Sequence, residues 1–180
     1  TGLHQTPEQI AATVVQEFVK SGPRINYIFQ ENGRLGKARN TGIRNSRGPL
    51  VAFLDSDDLW MPAKLAAQTR AMAENNADVV YSKSYVFSDK NIADETETLR
   101  SSVGRFSGPD FFDSLVRQPQ LPVLTVLLKR SALDRVGLFE EEKAYHGCED
   151  YDLWLRLAKA GLVFYGMPDV LARYRRHETA

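Results

Sequence analysis

The sequence predicts an α/β domain with a mixed, mainly parallel sheet flanked by helices, and two observations carry that expectation. Helical and strand-like patterns alternate α, β, α, β, α, β through the first half of the chain, the order that gives a parallel-type sheet with helical crossovers. Within that alternation, Leu50-Val51-Ala52-Phe53-Leu54 is short and wholly apolar, the mark of a strand buried on both faces. The run ends abruptly in Asp55-Ser56-Asp57-Asp58. Carboxylates at that end would stand at the crevice where open α/β sheets bind their ligands.

Taken in order, Thr6-Pro7-Glu8-Gln9 opens a helix, with Thr6 as N-cap, Pro7 at the first helical position and Gln9 closing a capping box. Ile10, Val14 and Phe18 mark its apolar face, and Ser21-Gly22-Pro23 stops it. Ile25 to Phe29 alternates as a strand does. Leu35 to Ser46 reads as a helix ended by Gly48-Pro49, and the Leu50 strand follows. Pro62 begins a helix reaching Glu74, and Val79 to Phe87 is a strand. Ser88 to Ser107 is polar and reads as a mobile loop, because apolar segments resume after it. Pro109 starts a short helix, Val123 to Leu128 is a strand, and Ser131 caps a helix that stops at Gly137. Glu149 to Ala160 is an amphipathic helix stopped by Gly161, and strands at Leu162 to Tyr165 and Val170 to Tyr174 close the chain.

A chain of 180 residues is one domain of ordinary size. Its 23 basic and 23 acidic residues balance, so no global field draws in nucleic acid or a membrane surface. Basic residues cluster at Arg34, Lys37, Arg39, Arg44 and Arg47 and again at Arg173, Arg175 and Arg176. Such runs are solvated faces or, beside an acidic metal loop, partners for a diphosphate. The single cysteine, Cys148, excludes an intramolecular disulfide and fits a reducing compartment. No apolar stretch approaches the ~20 residues of a membrane span. A cytoplasmic protein, in one version peripheral at the inner membrane face, is the expectation.

Asp55, Asp57 and Asp58 repel one another and call for a compensating cation. Oxygen ligands on an exposed loop suit Mg²⁺ or Mn²⁺ better than zinc. A lone D-x-D can equally be a polar turn. An EF-hand loop requires Gly at its sixth position, where this chain has Trp60. The phosphotransferases of the haloacid-dehalogenase type place Thr or Val where Leu59 stands. A second acidic cluster, Glu149-Asp150-Tyr151-Asp152, opens the late helix. Acids there complement the helix dipole, or one of them serves as a general base. Asp150 and Asp152 point in different directions, so both cannot serve one site.

The two clusters, in this order, resemble the family 2 glycosyltransferases with the GT-A fold, a Rossmann-like nucleotide-diphospho-sugar transferase architecture. The likeness rests on Gln30-Glu31-Asn32-Gly33 running into Ala38-Arg39-Asn40-Thr41-Gly42, then Phe53-Leu54-Asp55-Ser56-Asp57-Asp58. Val136-Gly137-Leu138-Phe139, Glu149 to Leu157 and Tyr174-Arg175-Arg176-His177 complete it. The resemblance implies that Asp57 is the direct ligand of Mn²⁺ or Mg²⁺, and that Asp55 reaches the donor ribose or the metal's hydration shell. It also implies that Arg39 and Asn40 lie along the nucleotide, and that His177 completes the metal or diphosphate site. Asp150 would deprotonate the acceptor hydroxyl. The implied function is metal-dependent, inverting transfer from a nucleoside-diphosphate sugar, a UDP-sugar first, to a glycan, lipid-linked or protein hydroxyl in cell-surface polysaccharide synthesis. Ser88 to Ser107 and the region from Gln120 to Thr125 would border the acceptor.

Family members begin with a strand and then a second strand ending in an acidic turn, which together hold the nucleobase, and this chain starts where that turn ends. The expectation is therefore a single, partial GT-A-like domain over residues 1–180, lacking its first strands, with an exposed sheet edge open to self-association. Two rival functions are a sugar nucleotidyltransferase, whose basic glycine-rich loop is not found here, and a non-catalytic glycan- or partner-binding remnant.

Overall fold

The computed structural model describes residues 25–99, 101–118 and 121–177, together with Thr13 and Val15. The chain divides into two compact units, Thr1–Asn32 and Gly33–Ala180. In the first, Thr13 and Val15 are helical, and the rest of the helix expected from Thr6 lies outside the described residues. Residues 25–29, expected as a strand, carry no regular structure. A strand exists only by pairing, and no pairing involves this segment among the described residues. Ile25, Tyr27, Ile28 and Phe29 are exposed.

The second unit contains five helices and seven strands among its described residues. In chain order they are α1 (Arg34–Asn45), β1 (Leu50–Ala52), β2 (Leu59–Trp60), α2 (Lys64–Glu74), β3 (Val79–Phe87), β4 (Thr98–Leu99) and β5 (Gly104–Phe106). Then come α3 (Gly108–Arg117), a 3₁₀ turn (Val123–Thr125), β6 (Val126–Lys129), α4 (Arg130–Val136), a second 3₁₀ turn (Lys143–Tyr145), α5 (Glu149–Lys159) and β7 (Phe164–Arg175). The sheet runs β1-β6-β3-β7-β2, with β4 added to β3 and β5 to β7.

The mixed α/β architecture stands, but its sheet is less parallel than expected. β3·β7 is the one parallel pairing between described strands, and the others are antiparallel. The strand directions explain the difference. β1 and β3 are each antiparallel to β6 and therefore run the same way as each other, and β7 joins them. The crossover through α2 preserves direction as expected, but β6, from much later in the chain, inserts between the two strands it joins. Direction is a local property of a crossover, whereas adjacency is not.

The sheet separates two cores, and alternation along each strand assigns residues to them. Val79 and Tyr81 of β3, Val126 and Leu128 of β6 and Val51 of β1 face the larger core. They meet Ile43 of α1, Phe111 and Leu115 of α3, Leu133 of α4, and Leu153, Trp154 and Leu157 of α5. Val80 and Leu127 face the smaller core, with Ala71 and Met72 of α2 and Met167 and Leu171 of β7. Val79, Val80, Val126, Leu128, Leu153 and Leu157 are all 0% exposed, so both faces of the centre are dry.

Three boundaries differ from the sequence reading for identifiable reasons. The two closing strands form one, β7, whose pairing with β3 slips between Tyr81↔Gly166 and Lys83↔Val170. Pro168 lies in that slip, where a residue without an N–H costs the ladder nothing. The 88–107 segment is not a plain loop, since β4 and β5 pair with β3 and β7. Val123–Thr125 is a 3₁₀ turn instead of strand, with Thr125 donating from both its amide and its hydroxyl to the Pro122 carbonyl.

Candidate active site

β1, β3 and β7 run together, so their carboxyl ends share one edge of the sheet, and both the D-x-D turn and the chain's last described residues lie there. The turn is closed by the Asp58 amide donating to the Asp55 carbonyl at 3.2 Å. β2 then pairs Leu59 with Arg173 and Trp60 with Ala172, stitching the turn to β7. As a result, His177 Nε2 lies 2.9 Å from Asp57 Oδ2, with both side chains nearly half exposed. The imidazole beside it holds the Asp57 carboxyl below the usual carboxylate range. Asp58 is buried, and its Oδ1 accepts from the Arg175 amide at 2.9 Å. Desolvation pushes the Asp58 carboxyl up to about 6.

Arg39 joins the two acidic clusters. Its guanidinium donates to Asp55 Oδ2 at 2.8 Å and to Glu149 Oε1 at 2.9 Å, and its side chain is only 8% exposed. The guanidinium carbon stands 5.5 Å from the Phe139 ring centroid, a cation–π arrangement, and Nε is buried without a hydrogen-bond partner among the described residues. Glu149 is buried and also accepts from the Gly147 amide at 2.8 Å. Gly36 lets the Glu140 main chain lie close against α1, because a Cβ there would stand 2.4 Å from the Glu140 carbonyl oxygen.

Asp150 follows on the first turn of α5. Its Oδ1 accepts from the Tyr151 amide at 2.8 Å, and burial raises its carboxyl above the usual range despite the opposing pull of Arg39. Beside it opens a pocket of about 480 Å³, lined by Leu99, Leu115, Leu121, Pro122, Tyr151 and Trp154 among others. Leu99 comes from the polar 88–107 segment, and Leu121 and Pro122 from the segment following Gln120, which itself lies outside the described residues. Asp152 turns away, as the sequence indicates, and accepts from Arg156 at 2.8 Å.

Asp55, Asp57, Asp150, Arg39 and His177 thus gather at one edge, but in two groups. Asp55 meets Arg39, and Asp57 meets His177. Among the described residues no three His, Cys, Asp or Glu side chains are arranged to hold a metal ion. Asn40 is otherwise engaged. It is 1% exposed, donates to the Phe139 carbonyl and to Glu141 (both 2.8 Å), and accepts from the Phe139 amide at 3.0 Å. Its amide therefore ties α1 to the loop after α4. The arginines at the end of β7 carry ion pairs of their own. Arg173 pairs with Glu95, Arg175 with Asp89 and Arg176 with Glu97, which draws the acidic 88–97 segment onto the strand end.

Sequence reasoning named Asp58 and Glu149 only as members of the acidic clusters and passed over Lys64, and the structure gives all three their partners. Glu149 is the second partner of Arg39, Asp58 anchors the turn, and Lys64 sits over the Trp60 ring at 4.5 Å while donating to Gln68. The i, i+4 spacing of Lys64 and Gln68 was the available signal for the last pair.

The chain matches the family described as glycosyl transferase family 2 over residues 8–134. It is 32% identical over 143 residues to the Escherichia coli UDP-Glc:alpha-D-GlcNAc-diphosphoundecaprenol beta-1,3-glucosyltransferase WfgD, covering 77% of this chain and 50% of that protein. It is 27% identical over 163 residues to the putative teichuronic acid biosynthesis glycosyltransferase TuaG of Bacillus subtilis, covering 90% and 61%. The S. aureus TarS 1–349 structure in complex with UDP-GlcNAc superposes with a TM-score of 0.70 at 16% identity, over 93% of this chain and 46% of that one. Among curated relatives, this chain spans 24% of a Rickettsia bellii glycosyltransferase, 58% of a Rickettsia typhi one and 61% of TuaG. With the residues of its D-x-D turn and its late acidic helix gathered at one sheet edge, this chain belongs to glycosyl transferase family 2 and has its GT-A fold.

Proposed function

We propose that this chain carries the catalytic machinery of a metal-dependent, inverting glycosyltransferase that uses a nucleoside-diphosphate sugar, a UDP-sugar first, in polysaccharide or glycan assembly. The observation that carries the reading is the Arg39 bridge, which holds Asp55 of the D-x-D turn and Glu149, next to Asp150, on one buried guanidinium. That bridge places an exposed carboxylate–imidazole pair on one side and a desolvated carboxylate beside an apolar pocket on the other.

Asp150 suits the role of general base. Burial raises its carboxyl toward working pH, so it takes a proton more readily than an ordinary aspartate. The acceptor hydroxyl gives its proton to Asp150 as its oxygen bonds to the anomeric carbon, and the bond from that carbon to the diphosphate breaks. Attack from the opposite face inverts the centre and requires no covalent nucleophile. The pocket of Leu99, Leu121 and Trp154 would receive the acceptor and keep water from the same carbon.

Asp57 and His177 are a fitting pair for a divalent cation. Their facing oxygen and nitrogen are accessible, and the diphosphate oxygens would supply the remaining ligands. An imidazole donor favours Mn²⁺ over Mg²⁺. A bound cation would offset the charge that builds on the leaving diphosphate. The names of WfgD and TuaG support a polysaccharide or lipid-linked acceptor. One observation favours a non-catalytic binding module instead: among the described residues, three metal-ligating side chains do not converge.

Calorimetric titration of UDP, GDP and dTDP, with and without Mn²⁺, tests the donor side. Mn²⁺-dependent binding of one nucleotide, lost in Asp57→Ala and kept in Asp150→Asn, is the expected result. Transfer at the normal rate by Asp150→Asn would remove Asp150 from the mechanism. Binding without turnover in the full-length protein would favour the binding module.

A further inference from the structure

We infer that Arg175 is the positioning residue of the D-x-D turn, fixing the Asp57 main chain so that its exposed carboxylate is held toward its ligand. The functional half of this inference rests on the donor-site reading above.

Asp57 and His177 are 44% and 47% exposed, so packing does not fix them. What holds Asp57 is its backbone, and Arg175 fixes the turn at two points, the Asp57 main chain and the Asp58 side chain. Its Nε–H donates to the Asp57 carbonyl at 2.8 Å, and its own amide donates to Asp58 Oδ1 at 2.9 Å. The guanidinium is itself constrained, with its central carbon 5.0 Å from the centroid of the buried Phe87 ring and one terminal nitrogen paired with Asp89. A planar, always-charged group stacked on a ring aims its donors where a flexible ammonium would not. The same residue sits at the last position of β7, two before His177, so one strand end delivers both the clamp on Asp57's carbonyl and the imidazole on its carboxylate. The Asp89 pair is the dispensable part, because Asp89 is 66% exposed and an exposed ion pair contributes little.

Two readouts separate this role from general stability. Hydrogen–deuterium exchange of the peptide spanning residues 53–60 is compared among wild type, Arg175→Met, Arg175→Lys and Asp89→Asn. UDP is titrated into the same proteins with Mn²⁺. Arg175→Met is expected to raise exchange in that peptide and to weaken Mn²⁺-dependent UDP binding about tenfold, the size of one lost hydrogen bond to a charged group. Exchange in α5 should stay unchanged. Arg175→Lys, which retains the charge and keeps both readouts available if the Met variant is unstable, should fall between Met and wild type. Asp89→Asn should match wild type in both readouts. Wild-type exchange at 53–60 in both Arg175 variants would overturn the inference outright. Raised exchange with unaltered UDP affinity would overturn its functional half. A wild-type protein that binds no Mn²⁺·UDP would overturn the donor reading, while the exchange data would still decide what Arg175 does to the turn.

Discussion

Lys64 is 1% exposed, with its Nζ donating to Gln68 Oε1 at 2.7 Å and facing the Trp60 ring, and burial lowers its ammonium to about 7. An unfolded lysine titrates at about 10.4, so between those two values the unfolded chain holds a proton that the folded one has released. Stability from this group therefore rises with pH from about 7 upward. In thermal melts between pH 7 and 9, the wild type should gain more than Lys64→Met; equal slopes would mean that buried Lys64 keeps its proton throughout that range. Asp150 has the opposite sign. Its raised carboxyl weighs against the folded state above its own titration range, so Asp150→Asn should raise the melting temperature at pH 7.5 while abolishing transfer. A lower melting temperature would mean that the carboxylate is stabilised by partners rather than strained by burial. At this scale the D-x-D was legible as a run of like charges. The engagement of Asn40 was not, because a buried amide and a nucleotide-facing one look alike until Phe139 comes within reach.

The elements were legible where their signals are local. Pro109 and Ser107 mark the start of α3, and acids at the first turn of α5 with Arg156 and Lys159 at its last match the helix dipole. The sequence pattern divides β7 into two strands, at 162–165 and 170–174, and its continuity depends on β3 alongside. Its tightest point is Gly166, where a Cβ would stand 2.0 Å from the Ser102 carbonyl oxygen and 2.7 Å from the Tyr81 hydroxyl, which donates to that same oxygen at 2.8 Å. Gly166→Ala should cost roughly 1–3 kcal/mol in chemical denaturation, the range for overpacking a closed site. A change within error would mean that β5 moves aside freely. Asn40→Ala strips the Phe139 amide and carbonyl of their partner and should cost about 2 kcal/mol or more. UDP affinity should change little; a large loss of affinity with no loss of stability would support the nucleotide-facing role.

Across the whole molecule, the acidic 88–97 segment is drawn onto β7 by ion pairs from Arg173, Arg175 and Arg176. Pairs this exposed are worth about 0–1 kcal/mol each and are screened by salt. Raising NaCl from 0.05 to about 1 M, where the screening length falls to about 3 Å, should speed hydrogen exchange in residues 88–97 and leave β3 and α5 unchanged. Salt-independent exchange there would show that β4 pairing, rather than charge, holds the segment. The sequence by itself determined what depends on neighbours along the chain: the helices, the apolar strands, the crossover direction, and a D-x-D followed far downstream by an acidic helix start. Tertiary structure alone decided which strands lie side by side and which groups meet: β6 between β1 and β3, Arg39 between Asp55 and Glu149, Arg175 on the carbonyl of Asp57. The reason is physical. Periodicity and capping act over a few residues, whereas a salt bridge spanning 110 positions exists only once the sheet has brought its two ends together.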